Sequence, residues 1–472
     1  MRRWMALGVA AIVVLGFGVY AFAEEAAEVD PAERARGLEF EEKQFDMCPF
    51  AIHGFTVTEE RKPLFCETGA KWARAWTGVL DPSSPTYEES VKRKYIRLDE
   101  WTSIHSECGA QTIPCVNMGR TRVFPKERHE SWRKGLGEMV ERYDGDGVDD
   151  KPGLKRPIRY WQFSNEWTWR WQGEVEDFIE LYRISHEVVK EADPEAKVVL
   201  GGMTGIDGLA FVDGYTGEEF IVYEGKQLSP EDVRGIPAYE KQRGFIETVL
   251  KDAGPYYDVV SFHKYGKWQN IPGCVAWLRD KMAELGYSKP IFTTEMGGPF
   301  IRGQEAYTPE THCDEIVKYY AVSLACGVEV IFWSTLNVLP EWGIPYGNTG
   351  LLDWDDKPKP GFYTYKLMVE KLGEMTTAVR VPVESWDKET WVYRFGTPHG
   401  PVYVMWSERI AGRHLEFPIG APRVRVTDVG GNESISKTMN GRAILELTAS
   451  PVFVEAVAGS ESAGAEEEGQ GE

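Results

Sequence analysis

The sequence predicts an α/β protein: a (β/α)8 TIM barrel followed by a small C-terminal antiparallel β-sandwich. Two observations lead there. First, short β-branched or aromatic runs alternate with longer amphipathic ones over roughly 330 residues, the rhythm of repeated βα units. Second, beyond about residue 375 the texture changes to short alternating runs such as Thr390–Phe395 and Pro401–Trp406, punctuated by His399-Gly400 and Gly430-Gly431-Asn432, which is sandwich grammar. A doubly wound open sheet is the rival, but no GxGxxG follows the first strand and no phosphate-binding glycine loop is present.

The strand candidates, in order, are Phe50–Phe55, Lys71–Thr77, Thr112–Met118, Ile158–Glu166, Lys197–Met203, Tyr257–Tyr265, Pro290–Met296 and Glu329–Asn337. Between them, Arg128–Tyr143, Val175–Ala192, Val275–Leu285 and Thr311–Ala325 carry apolar residues at three- and four-residue spacing and predict helices, with Phe362–Leu372 the last. The stretch Asp207–Tyr239, rich in Gly and Tyr, reads as an insert that shapes the cleft.

At the N-terminus, Met1-Arg2-Arg3 precedes an apolar run from Ala6 to Ala23 and then Glu24-Glu25, the pattern of a signal peptide over 1–23 and therefore of a secreted or periplasmic protein. An uncleaved membrane anchor is the alternative, since the run nearly reaches bilayer length; the membrane is a partner only in that case. Residues 24–45 read as a charged linker or surface helix, 46–375 as the barrel, 376–457 as the sandwich, and 458–472 as a Gly, Ala, Ser and Glu tail too polar to bury a core.

The formal net charge of −21 argues against nucleic acid or an anionic surface as partner, because both need a basic patch. A neutral or cationic substrate fits better. Seven cysteines in an exported chain permit disulfides, with Cys108–Cys115 or Cys48–Cys66 as candidate pairs, and Cys326 reads as a buried small hydrophobe. No CxxC or HExxH spacing suggests zinc, and no cofactor is expected.

A barrel of this kind places its chemistry at the C-terminal ends of the strands. The fourth candidate closes on Ser164-Asn165-Glu166, the seventh on Thr293-Thr294-Glu295, the sixth on His263-Lys264-Tyr265, and the eighth carries Phe332-Trp333. Cleaving an acetal needs one carboxyl group to protonate the leaving oxygen and another to attack, and two glutamates ending apolar strands supply such a pair. Tryptophans crowd the same region, at Trp167, Trp169 and Trp171 and again at Trp268 and Trp342; indoles stack on sugar faces but equally pack loops.

With these residues in place, the stretch from about 46 to 372 resembles the clan A glycoside hydrolases, closest in architecture to family 39 or family 5-like enzymes, and the appended sandwich also occurs in family 39. The resemblance implies a retaining glycosidase acting on an oligo- or polysaccharide by double displacement. It assigns Glu166 as general acid/base and Glu295 as nucleophile, with the two carboxyl groups about 5–5.5 Å apart. Asn165 then holds the sugar's 2-hydroxyl. Gly69-Ala70-Lys71-Trp72-Ala73-Arg74 resembles the clan segment whose arginine keeps the nucleophile ionised, which gives Arg74 that role. His263 and Tyr265 line the glycone site, and Trp333 is its aromatic floor, with Trp167 and Trp268 as further binding residues.

Asp144-Gly145-Asp146-Gly147-Val148-Asp149-Asp150 has the alternating oxygen ligands of a calcium loop without the bidentate Glu of an EF-hand, leaving Asp144, Asp146 and Asp150 as candidate Ca2+ ligands or a solvated acidic turn. Two other classes compete with the glycosidase: a carbohydrate-binding barrel that has lost catalysis, and a metal-dependent hydrolase, for which only His53 and His263 stand at strand ends. Neither the sugar, endo or exo action, nor the oligomeric state can be read from spacing.

Overall fold

The computed structural model describes residues 30–53, 57–78, 87–117, 123–223, 226–298, 308–337, 349–383, 389–409 and 412–457. The expected export signal, the expected acidic tail and Trp342 lie outside the described residues.

Each of the eight apolar runs forms a strand: β1 (Phe50–His53), β2 (Trp72–Gly78), β3 (Gln111–Asn117), β4 (Tyr160–Phe163), β5 (Lys197–Leu200), β6 (Val260–Tyr265), β7 (Ile291–Gly297) and β8 (Val330–Trp333). Strands buried on both faces need no polar alternation, and β1 and β7 are buried at every position. Neighbours pair in parallel, and β8 returns to β1 through Phe332 opposite Ala51. Between β5 and β6 the bridges Val199–Val259 and Met203–Phe262 complete the ring, with the His263 amide donating to the Met203 carbonyl at 2.8 Å.

The outer helices are α2 (Tyr87–Glu107), α3 (His129–Asp144), α4 (Val175–Ala192), α5 (Pro237–Asp252), α6 (Ile271–Glu284), α7 (Pro309–Ala325) and α8 (Pro360–Leu372), preceded in the chain by α1 (Pro31–Leu38). On α4 the buried residues Phe178, Leu181, Tyr182, Ser185, Val188 and Val189 follow the helical period, so one stripe packs on the barrel. Prolines in the first turn of α5, α6, α7 and α8 set the helical φ where no donor is needed.

The C-terminal layer holds β9 (Thr377–Arg380), β10 (Thr390–Thr397), β11 (Gly400–Ser407), β12 (Arg413–Pro418), β13 (Arg423–Asp428), β14 (Glu433–Lys437), β15 (Arg442–Leu447) and β16 (Val452–Val457). A seven-stranded antiparallel sheet faces the β12–β15 pair, and Val392, Met405, Leu415, Phe417, Leu445 and Val454 fill the space between. Alternation is visible along β12 and β15, where every second residue is buried.

The segment read as a charged linker or surface helix forms the helix α1 and contributes to this layer. Asp30 caps α1 with its Oδ1, and the short strand Lys43–Gln44 adds an edge to β9. Glu39 is buried, bonded to Arg380 Nη1 at 3.0 Å and to the Tyr393 hydroxyl. The insert after β5 packs on the outer ring: Tyr215 donates to Asp280 of α6 at 2.8 Å, and Gly217 lies against Ala32 of α1. It also meets the end of β6 and the loop after it, where Asp207 pairs with Lys264 at 2.7 Å and Glu218 with Lys267 at 2.7 Å.

Cys66 pairs with Cys108, joining the short helix Lys62–Glu67 to the residue after α2. Neither expected pair forms: Cys115 sits on β3 with its thiol against Arg74 inside the barrel, and Cys48 is free. Cys326 is fully buried, as read. Among the described residues no helix is long and apolar enough to cross a membrane.

Candidate active site

The β4 end breaks from extended geometry just before its carboxylate. Ser164 has φ 64° and Glu166 φ 47°, left-handed values that non-glycine residues rarely adopt and that cost of order 1–3 kcal/mol each. Packing holds the turn: a Cβ on Gly201 would meet the Phe163 and Ser164 carbonyls at 2.6 Å, and the buried Tyr182 hydroxyl bonds the Phe163 carbonyl and accepts from the Gly201 amide. Glu166 thereby starts the short helix Trp167–Arg170, whose last residue returns Arg170 Nη2 to Glu166 Oε2 at 2.8 Å.

Glu295, on β7, is set in a much drier place, with 8% of its surface exposed. Arg74 Nη1 donates to its Oε1 at 2.7 Å and the Tyr265 hydroxyl to its Oε2 at 2.8 Å. Burial alone would raise the Glu295 carboxyl, but His263, His53, Arg74 and the Tyr265 hydrogen bond outweigh it and hold it well below the carboxylate range. Arg74 is fully buried and fully used: Nε donates to Gln162 Oε1 at 2.6 Å, Nη2 to Asn165 Oδ1 at 2.6 Å and to Cys115 Sγ at 3.1 Å. Asn165 is thus tied through its Oδ1 to the buried arginine.

His263 links the two carboxylates. Its Nδ1 lies 3.2 Å from Glu166 Oε1 and 3.5 Å from Glu295 Oε2. Gly202 makes room for the ring, since a Cβ there would come within 1.9 Å of His263 Nε2. One oxygen of each glutamate and a nitrogen of His263 all lie within 4.8 Å of one another. Such a trio resembles a metal set, but Arg74 and Arg170 already neutralise one carboxylate each, which opposes a cation between them.

The structure therefore brings Arg74, Asn165, Glu166, His263, Tyr265 and Glu295 together and separates the three tryptophans from them. Trp333 is fully buried, its indole N–H on the Thr349 carbonyl at 2.8 Å and its ring against Tyr320, so it is core behind β8 and presents no face to a sugar. Trp167 is fully buried against Phe178 and Phe245 and bonds the Gly201 carbonyl. Trp268 packs edge-on to Trp391 and Trp406 in the seam between barrel and sandwich. Of the indoles near Glu166 the exposed one is Trp169, at 57%, with Arg170 stacked 4.5 Å from its ring centre.

Two participants, Gln162 and Arg170, escaped the sequence reading, and a third, His53, was read there only as a strand-end histidine. His53, at the end of β1, lies with Nδ1 3.9 Å from Glu295 Oε1 and Nε2 3.2 Å from Arg74; burial and Arg74 push its pKa down to about 3, so it is neutral. Gln162 braces Arg74 from β4, and Arg170 reaches Glu166 across one helical turn. The position of His53 at a strand end and the four-residue spacing of Glu166 and Arg170 were the available signals.

In the acidic turn, Asp150 is spent on backbone, accepting from the Gly145 and Gly147 amides at 2.9 Å each. Asp144 and Asp146 instead converge with Glu141, one turn earlier on α3, with an oxygen of each within 4.8 Å of the others.

No family model matches the chain, and neither does any curated protein. Solved structures do. A family 39 glycoside hydrolase from Bacteroides cellulosilyticus WH2 aligns over 86% of this chain and 80% of its own at TM-score 0.59 and 17% identity. A GH39 β-xylosidase from Caulobacter crescentus covers 88% and 97% at TM-score 0.56 and 13% identity. A GH51 α-L-arabinofuranosidase from Thermotoga petrophila RKU-1 covers 88% and 98% at TM-score 0.59 and 12% identity. The chain has the barrel-and-sandwich fold of these clan A glycoside hydrolases.

Proposed function

From that fold as premise, we propose that the chain is a retaining glycoside hydrolase, with Glu295 as nucleophile and Glu166 as general acid/base. The observation that carries the reading is the contrast within one carboxylate pair: Glu295 is a buried anion fixed by Arg74 and Tyr265, while Glu166 keeps one oxygen at His263 and the other at an arginine about a third exposed.

In the first step Glu295 attacks the anomeric carbon as Glu166 protonates the departing oxygen. In the second, Glu166 takes a proton from water, which displaces Glu295 from the glycosyl-enzyme. Retention is supported by the shared contact with His263, whose Nδ1 lies 3.2 Å from one carboxylate and 3.5 Å from the other, an approach that suits the close pair of a retaining enzyme better than the wider one that seats a water in an inverting enzyme. Asn165, held by Arg74, is available to the sugar's 2-hydroxyl. Export as the proposed setting is supported by the Cys66–Cys108 disulfide, a bond characteristic of oxidising compartments.

The substrate is a carbohydrate. The similar structures include a β-xylosidase and an α-L-arabinofuranosidase, so the glycone does not follow from the fold. A panel of aryl xylosides, arabinofuranosides and glucosides together with polysaccharides, run with the wild type and Glu295→Gln, tests the proposal. Hydrolysis of at least one glycoside by the wild type and none by the variant is expected. Equal hydrolysis by both overturns the assignment, and silence across the panel favours a binding protein.

A further inference from the structure

At the C-terminal end of α3, negative charge accumulates with no paired counter-charge among the described residues. Glu141, Asp144, Asp146, Asp149 and Asp150 fall within one helical turn and the loop that follows it. The basic residue in the last turn of α3, Arg142, is turned away and paired with Asp99 at 2.6 Å. The C-terminal end of a helix adds its own negative pole, which favours a cation there and disfavours the carboxylates present.

A second observation is independent of the cluster. Asp144 is 3% exposed, and while its Oδ1 accepts from the Asp146 amide at 3.2 Å, its Oδ2 is buried with no hydrogen-bond partner. A buried carboxylate oxygen with neither donor nor counter-ion is among the more costly arrangements in a protein interior. The side chains nearest to Asp144 in this turn are themselves acidic, and oxygens of Glu141, Asp144 and Asp146 lie within 4.8 Å of one another.

We propose that Glu141, Asp144 and Asp146 form a Ca2+ site at the C-terminal end of α3. Ca2+ suits such a set because it accepts six to eight oxygens in flexible geometry and completes its shell with carbonyls and water, whereas Mg2+ demands near-ideal octahedral geometry and gives up its water reluctantly. Asp150 is outside the set because both its oxygens hold the turn's amides, and Glu141 replaces it from the helix. The bound ion would pin the turn that feeds β4: the Ile158 amide donates to the Tyr143 carbonyl at 2.8 Å, two residues before that strand begins. The inference is independent of the reaction at the barrel mouth.

The test uses the full chain, stripped with EDTA and dialysed, titrated with CaCl2 in a calorimeter and melted with and without the ion. One Ca2+ per chain is expected, with Kd of ~10⁻³ M or tighter, and a Tm rise of ~2–5 °C at saturation. Asp146→Asn keeps the Oδ1 that accepts from the Val148 amide and should lose both signals. Asp144→Asn should melt at or above the wild type in EDTA, because a like charge is gone, and below it in Ca2+. The exposed Asp149→Asn should respond as wild type does. Absence of heat and of a Tm shift in the wild type overturns the site, as does a response that survives in both Asp144→Asn and Asp146→Asn.

Discussion

The ends of β4 and β7 carry the same residue type in opposite surroundings. On β7, Glu295 keeps extended strand geometry at a point where the register shifts against both neighbours, is buried, and has each oxygen held by a donor, Arg74 or Tyr265. On β4, Glu166 is itself left-handed, as is Ser164 two residues before it, is partly open to solvent, and is held by a histidine and by an arginine from its own helical turn. A nucleophile must be a fixed anion throughout approach, whereas an acid/base must exchange its proton with the leaving group and then with water, so it has to stay reachable. The contrast between these environments is what supports the proposed assignment of Glu295 as nucleophile and Glu166 as acid/base.

The largest effect that could break this comparison is on turnover. Glu295→Gln is expected to lower kcat/KM by at least ~10⁴-fold while the far-UV spectrum and Tm show a folded protein. Glu166→Gln should cost ~10²–10⁴-fold, and most of that loss should vanish with an activated aryl leaving group that needs no protonation. Azide separates the two further. It should rescue Glu166→Ala by releasing a glycosyl azide of retained configuration, and give the inverted azide with Glu295→Ala. If the stereochemistry came out the other way round, the roles would have to be exchanged.

The two arginines offer the next test, because each pairs with one of the carboxylates at nearly equal distance, 2.7 Å for Arg74 and 2.8 Å for Arg170. Burial separates them. Arg74→Met leaves the buried Glu295 uncompensated and is expected to destabilise by ~3–5 kcal/mol as well as to impair catalysis. Arg170 is about a third exposed, and Arg170→Met should change stability by no more than ~1 kcal/mol. Denaturant melts of both variants check the contrast, and similar losses would erase it.

A smaller effect follows from His53. Burial first, and Arg74 second, lower its pKa from the ordinary histidine range to about 3. The folded state then binds a proton less readily than the unfolded one, so the stabilisation is fully present above ~pH 6.5 and is lost as pH falls towards 3. This one group contributes a slope of up to ~1.4 kcal/mol per pH unit in that window. His53→Asn should flatten the stability profile between pH 6 and 4 by about that amount, measured by urea unfolding at several pH values.

The sequence made the architecture legible because buried parallel strands are long apolar runs that nothing else mimics at this spacing, and the strands and five helices stand where the pattern put them, within a few residues. It located Glu166 and Glu295 because a carboxylate ending such a run is costly elsewhere. It misplaced what depends on side-chain direction. Trp333, Trp167 and Trp268 sit at the right chain positions, but an indole pointing outward from a strand or into a helix seam joins the core, and no periodicity records that turn. The disulfide failed for the same reason, since Cys115 points into the barrel towards Arg74 while Cys66 and Cys108 meet on the outer layer. The short acidic motif named two of three converging carboxylates and missed Glu141, which reaches the turn from the helix before it.

That directional failure supplies the smallest prediction. Trp167 and Trp169 are two residues apart, yet one is fully buried and the other is 57% exposed with Arg170 stacked on it. The arginine stacked on the exposed indole is the one paired with Glu166, so the indole stands one side chain away from the proposed acid/base. Trp169→Ala is expected to raise KM ~3–10-fold for a polysaccharide, the size of one lost stacking contact, with little change in kcat and little change for a small aryl glycoside. Trp167→Phe, which trims a buried ring, should lower Tm and leave KM alone. Should KM move with Trp167 and not with Trp169, the leaving-group side of the cleft would lie somewhere other than the open flank of Glu166, and the asymmetry between the two strand ends would need another explanation.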